Sequence, residues 1–160
     1  MVVKLPVLWL VVANVLGWLA IHMAVAWAGT RIPDRIFNPR QWWWRTRRFE
    51  RNGRLYERAF SIRAWKDRLP DGAALFRGGF KKARLATRDA TYLERFVRET
   101  CRGEAVHWVV LASSALFFIW NPWWAGLLMV GYAVAVNIPC IFAQRYNRIR
   151  LARVLGKGRR

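Results

Sequence analysis

The chain has 160 residues, of which 55% are hydrophobic, and its 28 Lys and Arg against 9 Asp and Glu give a formal net charge of +19 at pH 7. A soluble domain usually has roughly 45–50% apolar residues, and so large a positive charge opposes a compact fold unless a polyanion neutralises it. This composition excludes an ordinary soluble domain and leaves a membrane surface or a nucleic acid as the expected polyanion.

The first apolar run covers residues 5–28, where His22 is the one ionisable side chain. Because a helix needs roughly 20 mostly apolar residues to cross a bilayer, this run predicts a first membrane span. A secretory signal peptide is the alternative, but Lys4 is its whole basic region and the Gly-Thr-Arg sequence that follows the run makes a poor cleavage site. A retained helix is therefore the better interpretation.

The segment between the first and second spans, residues 29–104, is basic and contains a turn signal at residues 69–72. Ahead of that turn, apolar side chains recur at helical spacing among Arg and Lys, at Leu55, Ala59, Ile62 and Trp65. This pattern predicts a helix lying in the membrane interface. From Asp89 a second helical pattern continues into the second span, so one helix is expected to rise into the bilayer. The segment has too few apolar residues for its own core, and we expect it to pack on the spans.

The second and third apolar runs cover residues 105–120 and 122–143. Asn121-Pro122 between them is a turn signal, so we expect a tight helical hairpin rather than one bent span. Three tryptophans flank that turn, where their rings suit the membrane–water interface: Trp120, Trp123 and Trp124. The three Trp residues at positions 42–44 are expected to anchor the opposite interface in the same way.

The basic residues set the orientation that we expect. Residues 29–104 hold 20 Lys and Arg, and residues 145–160 hold 7 Lys and Arg and no acidic residue. The positive-inside rule places both blocks in the cytoplasm, which three spans satisfy with the N-terminus outside. The predicted fold is therefore an all-α, multi-pass integral protein of the cell membrane, one domain over residues 1–160, with a basic, partly interfacial cytoplasmic segment between the first two spans.

Three kinds of site have no support in the sequence. Cys101 and Cys140 lie at a cytoplasmic helix start and inside an apolar run, so free thiols are expected rather than a disulfide. His22 and His107 are on separate spans and form no recognisable metal-ligand spacing, so neither a metal nor a bound cofactor is predicted. Nucleic acid is not expected as a partner, because anionic membrane lipids already lie beside the basic blocks.

Glu104 and His107 are the sharpest candidates for chemistry. They are three residues apart, so on a helix they share one face, with Thr100 one turn earlier. An imidazole beside a carboxylate is suited to act as a general base, because the carboxylate fixes the tautomer and stabilises the imidazolium. The alternative is an interfacial histidine that Glu104 caps and that only anchors the helix.

A second polar group begins where the third span ends and consists of Gln144, Arg145, Tyr146, Asn147, Arg148, Arg150 and Arg153. Arginine forks bind phosphates or carboxylates bidentately, although an ordinary stop-transfer cluster that contacts anionic headgroups has the same composition. Within the span, the Asn137 amide is expected to find a partner on another helix. A third group is a set of structural ion pairs rather than a site: Arg31 with Asp34, then Arg63, Trp65, Lys66 and Asp71.

Several short motifs follow one another along residues 28–152. They are Gly29-Thr30-Arg31-Ile32-Pro33-Asp34, Phe49-Glu50 with Gly53, Arg63 with Trp65-Lys66, Asp71-Gly72, Glu99-Thr100, Arg102, Glu104, His107-Trp108, Asn137 with Pro139, and Gln144-Arg145-Tyr146-Asn147-Arg148 with Arg150-Leu151. In this order the chain resembles the glycosyl-4,4'-diaponeurosporenoate acyltransferase family, small membrane proteins named for the last step of staphyloxanthin synthesis. The tryptophan-rich first span, hairpin and positions 42–44 depart from the family pattern.

The resemblance implies transfer of a fatty acyl group from acyl-CoA, as co-substrate, to a sugar hydroxyl of a glycosylated carotenoid or related lipid. Our hypothesis for the roles takes His107 as the base and Glu104 as its orienting partner. Arg145, Arg148 and Arg150 would face the phosphates, and Asn137 or Tyr146 would polarise the thioester carbonyl. The further candidate substrate-binding residues are Arg31, Trp65, Lys66, Asp71, Thr100 and Arg102.

A different class of function is also open. The same polar residues could seal helix contacts in a non-enzymatic membrane subunit or lipid-binding partner of a larger complex. The expected partners are membrane lipids, a lipid-soluble glycosylated substrate and acyl-CoA, with a homo- or hetero-oligomer as a further option. An unstable isolated chain that co-purifies stoichiometrically with another protein would favour the subunit.

Overall fold

The computed structural model describes residues 6–69 and 89–157. Across these ranges the regular structure is helical and contains no strand. The α-helices are α1 (Val7–Arg31), α2 (Arg54–Phe60), α3 (Ala90–Ser113) and α4 (Trp123–Lys157), and short 3₁₀ turns join them. The turn predicted at residues 69–72, and Asp71 with it, lies outside the described residues.

Three helices are long and apolar enough to cross a membrane, which confirms the predicted spans. The second is α3, which runs from Ala90 to Ser113 and confirms that one continuous helix leads from the basic segment into the second apolar run. Its N-terminus is capped by Asp89, whose carboxylate accepts a hydrogen bond from the Tyr92 N–H at 3.1 Å. The third is α4, which continues through the basic tail to Lys157, because Arg, Leu and Ala there are strong helix formers.

The three long helices pack in an antiparallel arrangement around a small apolar core. The core consists of Trp18 of α1, Val110 of α3, Phe117 of the 3₁₀ turn that follows α3, and Ala133 of α4. The rings of Trp18 and Phe117 stack with centroids 4.4 Å apart. Most other large side chains of α1 face outward, as expected of a helix that contacts lipid on most of its surface.

A cluster of three polar side chains ties α1 to the hairpin turn. The Asn14 and Asn121 amides bond reciprocally, with N–O distances of 3.0 and 2.7 Å, and the Trp120 indole donates to Asn14 Oδ1 at 2.8 Å. Asn121 is buried. Because amides in hydrocarbon are costly unless bonded, these contacts fix the height of α1 relative to the turn.

At the other end of the helices, Gly29 lies at a close approach of α1 and α3. A Cβ added at Gly29 would lie 2.6 Å from Cγ2 of Val106, closer than side chains pack. The Gly29 carbonyl also accepts a hydrogen bond from Nη1 of Arg102 at 2.6 Å. The missing side chain therefore allows α1 to rest directly on α3.

Gly29→Ala is expected to lower the free energy of unfolding by about 1–3 kcal/mol, because the added methyl overpacks the contact and the β-branched Val106 is stiff. Gly131→Ala is the matched control: a Cβ there meets no heavy atom of the described chain within 4 Å, and alanine favours a helix more than glycine does. Unfolding midpoints in detergent provide the measurement. Equal midpoints for the two variants would contradict the close approach.

The prediction of one interfacial helix from Leu55 to Trp65 is wrong beyond Phe60, where α2 ends. Ser61 has a φ of 47°, which a helix does not tolerate, and the chain continues as 3₁₀ turns. The break lets Ile62 join Tyr56 in an apolar cluster on α4. The basic segment thus packs on a span, as predicted, and this packing overrides the local helical pattern.

Candidate active site

His107 of α3 and Asn137 of α4 face each other between two spans. Nδ1 of His107 lies 2.9 Å from Oδ1 of Asn137, and Asn137 is fully buried. The partner expected for the Asn137 amide on another helix is therefore His107. The amide nitrogen of Asn137 donates to the Ala133 carbonyl at 2.9 Å, which fixes the orientation of the amide.

This geometry determines the tautomer of His107. An amide oxygen can only accept a hydrogen bond, so Nδ1 of the imidazole carries the proton and donates a hydrogen bond to Oδ1 of Asn137. In the neutral ring the lone pair is then on Nε2, the arrangement that a general base requires. Asn137 holds the ring in the way that an acid holds histidine in hydrolytic triads, and an asparagine performs the same task in some of them.

The Glu104 carboxylate has other partners. Its Oε1 accepts from Nη1 of Arg145 at 2.8 Å, and its Oε2 accepts from Nη2 of Arg148 at 2.5 Å. Glu104 is almost completely buried, with 2% of its surface exposed. Both carboxylate oxygens of Glu104 therefore form ion pairs with arginines of α4. The group bonded to Nδ1 of His107 is the Asn137 amide rather than Glu104.

A second buried carboxylate, Glu50, meets the same arginine from the other side. Oε1 of Glu50 accepts from Nε of Arg145 at 2.8 Å and from the Tyr56 hydroxyl at 2.6 Å, while its Oε2 accepts from the Arg47 N–H. We call Glu50, Glu104, Arg145 and Arg148 the ion-pair layer. Arg145 spans its two carboxylates, so the charges compensate each other within a buried site.

The environment of Glu50 shifts the titration of two groups. Burial alone would raise the pKa of Glu50, but hydrogen bonds from Arg145 and Tyr56 outweigh burial and hold its pKa below the ordinary value. Burial and the hydrogen bond to Glu50 raise the pKa of Tyr56, which remains a proton donor. The ionised Glu50 therefore stabilises the fold above its unfolded-state pKa, and this contribution is lost as the pH falls through the folded-state pKa.

A left-handed turn brings Glu50 to α4. Arg51, Asn52 and Gly53 have φ angles of 46°, 56° and 90°, values that only glycine adopts without steric cost. The Tyr146 ring lies against Gly53, and Nη2 of Arg153 donates to the Asn52 carbonyl at 2.6 Å. Contacts from α4 thus stabilise a backbone conformation that Arg51 and Asn52 of the turn would otherwise disfavour.

Tyr146 belongs to a polar cluster at the basic end of α4. Its hydroxyl donates to Glu57 at 2.6 Å and accepts from Nε of Arg63 at 3.0 Å. The hydrogen bond from Tyr146 is the main cause of a lowered pKa of Glu57. Arg150 lies over the Tyr146 ring, 5.7 Å from its centroid. The Tyr146 hydroxyl is therefore engaged within the protein, whereas Arg150 points to the surface.

Arg102 fastens the end of α1 to α3. Its guanidinium donates to the Gly29 and Ile32 carbonyls, both at 2.6 Å, and forms an ion pair with Asp34 and a 3.2 Å contact with Glu99. The sequence paired Asp34 with Arg31, and this was wrong: Arg31 instead stacks over the Trp27 ring at 4.8 Å. Arg102 has its donors committed to protein acceptors, so we leave it out of the proposed substrate site.

The remaining sequence candidates have local partners. The Thr100 hydroxyl donates to the Val97 carbonyl at 2.6 Å, and the Trp65 indole donates to the Phe60 carbonyl at 2.7 Å. Lys66 pairs with Asp67. Cys101 and Cys140 are free and buried, as predicted. These contacts are structural, and the substrate-binding roles suggested for Thr100, Trp65 and Lys66 stay predictions.

A cavity of about 750 Å³ lies between the segment that follows α1, the first half of α3 and the end of α4. Four arginines contribute to its wall: Arg35, Arg40, Arg98 and Arg148. Glu94, Trp44, Asn38 and Thr46 also line it. Sequence reasoning selected only Arg148, because the other three are scattered among many arginines and no spacing sets them apart.

Fold and site together define a class: a small polytopic helical membrane protein with a histidine–asparagine pair between two spans and a basic cavity at their polar end. The chain matches the family model of glycosyl-4,4'-diaponeurosporenoate acyltransferase over residues 39–157. It therefore belongs to that family, as its motifs suggested, and is an acyltransferase.

Individual relatives agree with the family model. Proteins named glycosyl-4,4'-diaponeurosporenoate acyltransferase from Staphylococcus aureus strains bovine RF122 / ET3-1 and MRSA252 are each 33% identical to this chain over 138 residues. The protein of that name from strain USA300 is 32% identical over the same length. Each alignment covers 86% of this chain and 83% of the relative. No solved structure matches the chain.

Proposed function

We propose that this protein transfers a fatty acyl group from acyl-CoA to a sugar hydroxyl of a glycosylated carotenoid or a related glycolipid. The observation that carries the proposal is the hydrogen bond from His107 Nδ1 to Asn137 Oδ1, 2.9 Å long. It places the ring proton on Nδ1 and the lone pair of the neutral ring on Nε2, between two membrane spans. The names of the relatives supply the glycosylated carotenoid as the acceptor class.

The transfer needs few groups from the protein. His107 Nε2 removes the proton of the sugar hydroxyl as its oxygen attacks the thioester carbon, and a tetrahedral oxyanion forms. The carbon–sulfur bond then breaks, the ester is released, and the imidazolium returns its proton to the thiolate of coenzyme A. A thioester is already electrophilic, so positioning and one base supply most of what the reaction requires.

Asn137 is a positioning residue in this mechanism. Its carbonyl oxygen accepts from His107 and its amide nitrogen donates to the backbone, so the amide is committed to holding the ring. The Tyr146 hydroxyl is likewise engaged, with Glu57 and Arg63. We therefore assign neither residue to the thioester carbonyl, and we transfer the orienting role suggested for Glu104 to Asn137.

The proposed orientation brings both substrates to this site. With the basic segment in the cytoplasm, the polar ends of α3 and α4 face soluble acyl-CoA. His107 lies farther along α3 toward the apolar core and is half-buried, where a lipid-dissolved acceptor can reach it. Acceptor and donor would thus approach His107 from the bilayer and from the cytoplasm.

A lipid analysis of cells that make the glycosylated acceptor tests the proposal. Membranes are compared from cells without the chain, with the chain and with His107→Ala. An acylated glycolipid that appears only with the intact chain is the expected result. Equal lipids in all three, together with stoichiometric co-purification of another protein, would contradict the proposal and support a non-enzymatic subunit.

A further inference from the structure

We propose that the four-arginine cavity binds the phosphates of a phosphorylated adenosine nucleotide, the polar end of the acyl-CoA donor. This proposal rests on the function proposed above, which it deepens by assigning a donor site. The sequence suggested Arg145, Arg148 and Arg150 for the phosphates. Arg145 is instead held between two buried carboxylates, so a different set of arginines must supply the charge.

Three of the four cavity arginines differ from Arg102 and Arg145 in their partners. Arg35, Arg40 and Arg98 are exposed, and among the described residues none of them has a carboxylate partner. Arg102 and Arg145, by contrast, are saturated with protein acceptors. Exposed guanidinium groups gathered around one cavity form a site for phosphate, which arginine binds bidentately.

Arg148 links the cavity to the ion-pair layer. It is 4% exposed, its Nη2 is bonded to Glu104 and its Nη1 lies 3.7 Å from Sγ of Cys101. The Trp44 ring lies 5.9 Å from the same guanidinium. Trp44 also lines the cavity and offers an aromatic surface on which a base can stack. Phosphate-binding and base-binding groups therefore occur side by side.

The distance to His107 fits a donor with a long arm. Arg148 follows Asn137 by eleven residues on α4, which places the two roughly 16–17 Å apart along the axis and within about 20° around it. An extended pantetheine arm spans a distance of this order. Gln144 lies on the same face between them, and its Oε1 is buried without a hydrogen-bond partner in the described chain.

An anionic lipid headgroup carries the same phosphate chemistry, so the test separates the two sources. The full chain is placed in phosphatidylcholine nanodiscs, and binding of adenosine 3',5'-bisphosphate and of coenzyme A is measured by calorimetry. A parallel series without nucleotide measures how strongly phosphatidylglycerol is enriched around the chain in mixed phosphatidylcholine and phosphatidylglycerol nanodiscs. Arg35→Gln/Arg40→Gln is the cavity variant. Arg54→Gln/Arg58→Gln, which removes the same charge from exposed positions on α2, is the matched control.

The cavity variant is expected to bind both nucleotides at least about tenfold more weakly, because each charge-assisted hydrogen bond lost is worth about a factor of ten or more. The control should stay within about twofold, and His107→Ala should bind normally. Unchanged binding in the cavity variant, absent nucleotide binding, or an effect confined to phosphatidylglycerol discs would each overturn the proposal. Nucleotide binding without any acyl transfer would instead overturn only the proposed function.

Discussion

Replacing His107 by alanine is expected to lower kcat of acyl transfer by about 10²–10⁴-fold, the usual contribution of a general base. The sugar hydroxyl must lose its proton as it attacks, and Nε2 of His107 is the acceptor that the Asn137 contact prepares. Transfer to the purified glycolipid acceptor, measured per folded protein, checks the result. His22→Ala is the matched control, because His22 is the other histidine of the chain and, within the described residues, its hydrogen bond is local, to the Trp18 carbonyl at 2.9 Å.

Variants of Asn137 show whether this residue orients the His107 ring through its hydrogen bond or only fills space between the helices. Asn137→Leu keeps the branched shape of the side chain but has no acceptor for Nδ1–H, so kcat is expected to fall while KM for the acceptor changes little. Asn137→Asp keeps an acceptor oxygen and should recover much of the lost kcat. Equal losses in the two variants would show that Asn137 matters only for packing, and undiminished transfer by His107→Ala would remove His107 from the mechanism.

Glu104→Ala is expected to lower the free energy of unfolding by about 3–5 kcal/mol, the usual cost of removing one partner from a buried ion pair. Glu104 is bonded to both Arg145 and Arg148, and its loss would leave two buried guanidinium groups with less compensation. Equilibrium unfolding in mixed detergent micelles provides the measurement. Asp67→Asn is the control, because the Asp67 side chain is 69% exposed and its ion pair with Lys66 should be worth less than about 1 kcal/mol.

A second variant, Glu104→Gln, distinguishes two interpretations of Glu104. If Glu104 is structural, the activity per folded protein of Glu104→Gln should stay within a few-fold of the original while the unfolding midpoint falls. If Glu104 orients His107, as its position three residues away suggested, activity should be lost without a matching loss of stability. The second outcome would restore Glu104 to the catalytic mechanism and contradict the purely structural ion-pair layer.

A layer of buried charge at the polar end of the spans has a clear architectural use. Arg145 joins Glu50 of the basic segment to Glu104 of α3, so one side chain of α4 holds two other parts of the fold. Arg102 performs the same task for α1. Charged groups in such positions are costly unless paired, and their pairing therefore specifies how the helices are arranged.

Much of the architecture could be predicted from the sequence. The three spans, the turn at Asn121-Pro122 and the continuous helix through Glu104 depend on local hydropathy and on local breakers, which a chain displays without its fold. Asn137 could be predicted to need a partner, because a polar amide in hydrocarbon is costly wherever it lies. The ordered motifs also indicated the family before any contact was known.

The tertiary structure alone decided which polar groups meet. Spacing paired Glu104 with His107 and Arg31 with Asp34, whereas packing bonded Glu104 to Arg145 and Arg148 and placed Asn137 on His107. The same packing ended α2 at Phe60 and gathered Arg35, Arg40 and Arg98 around one cavity. A sequence pattern indicates which residues lie one helical turn apart on the same helix. Ion pairs also form between helices, and the arginines that pair with Glu104 lie on α4.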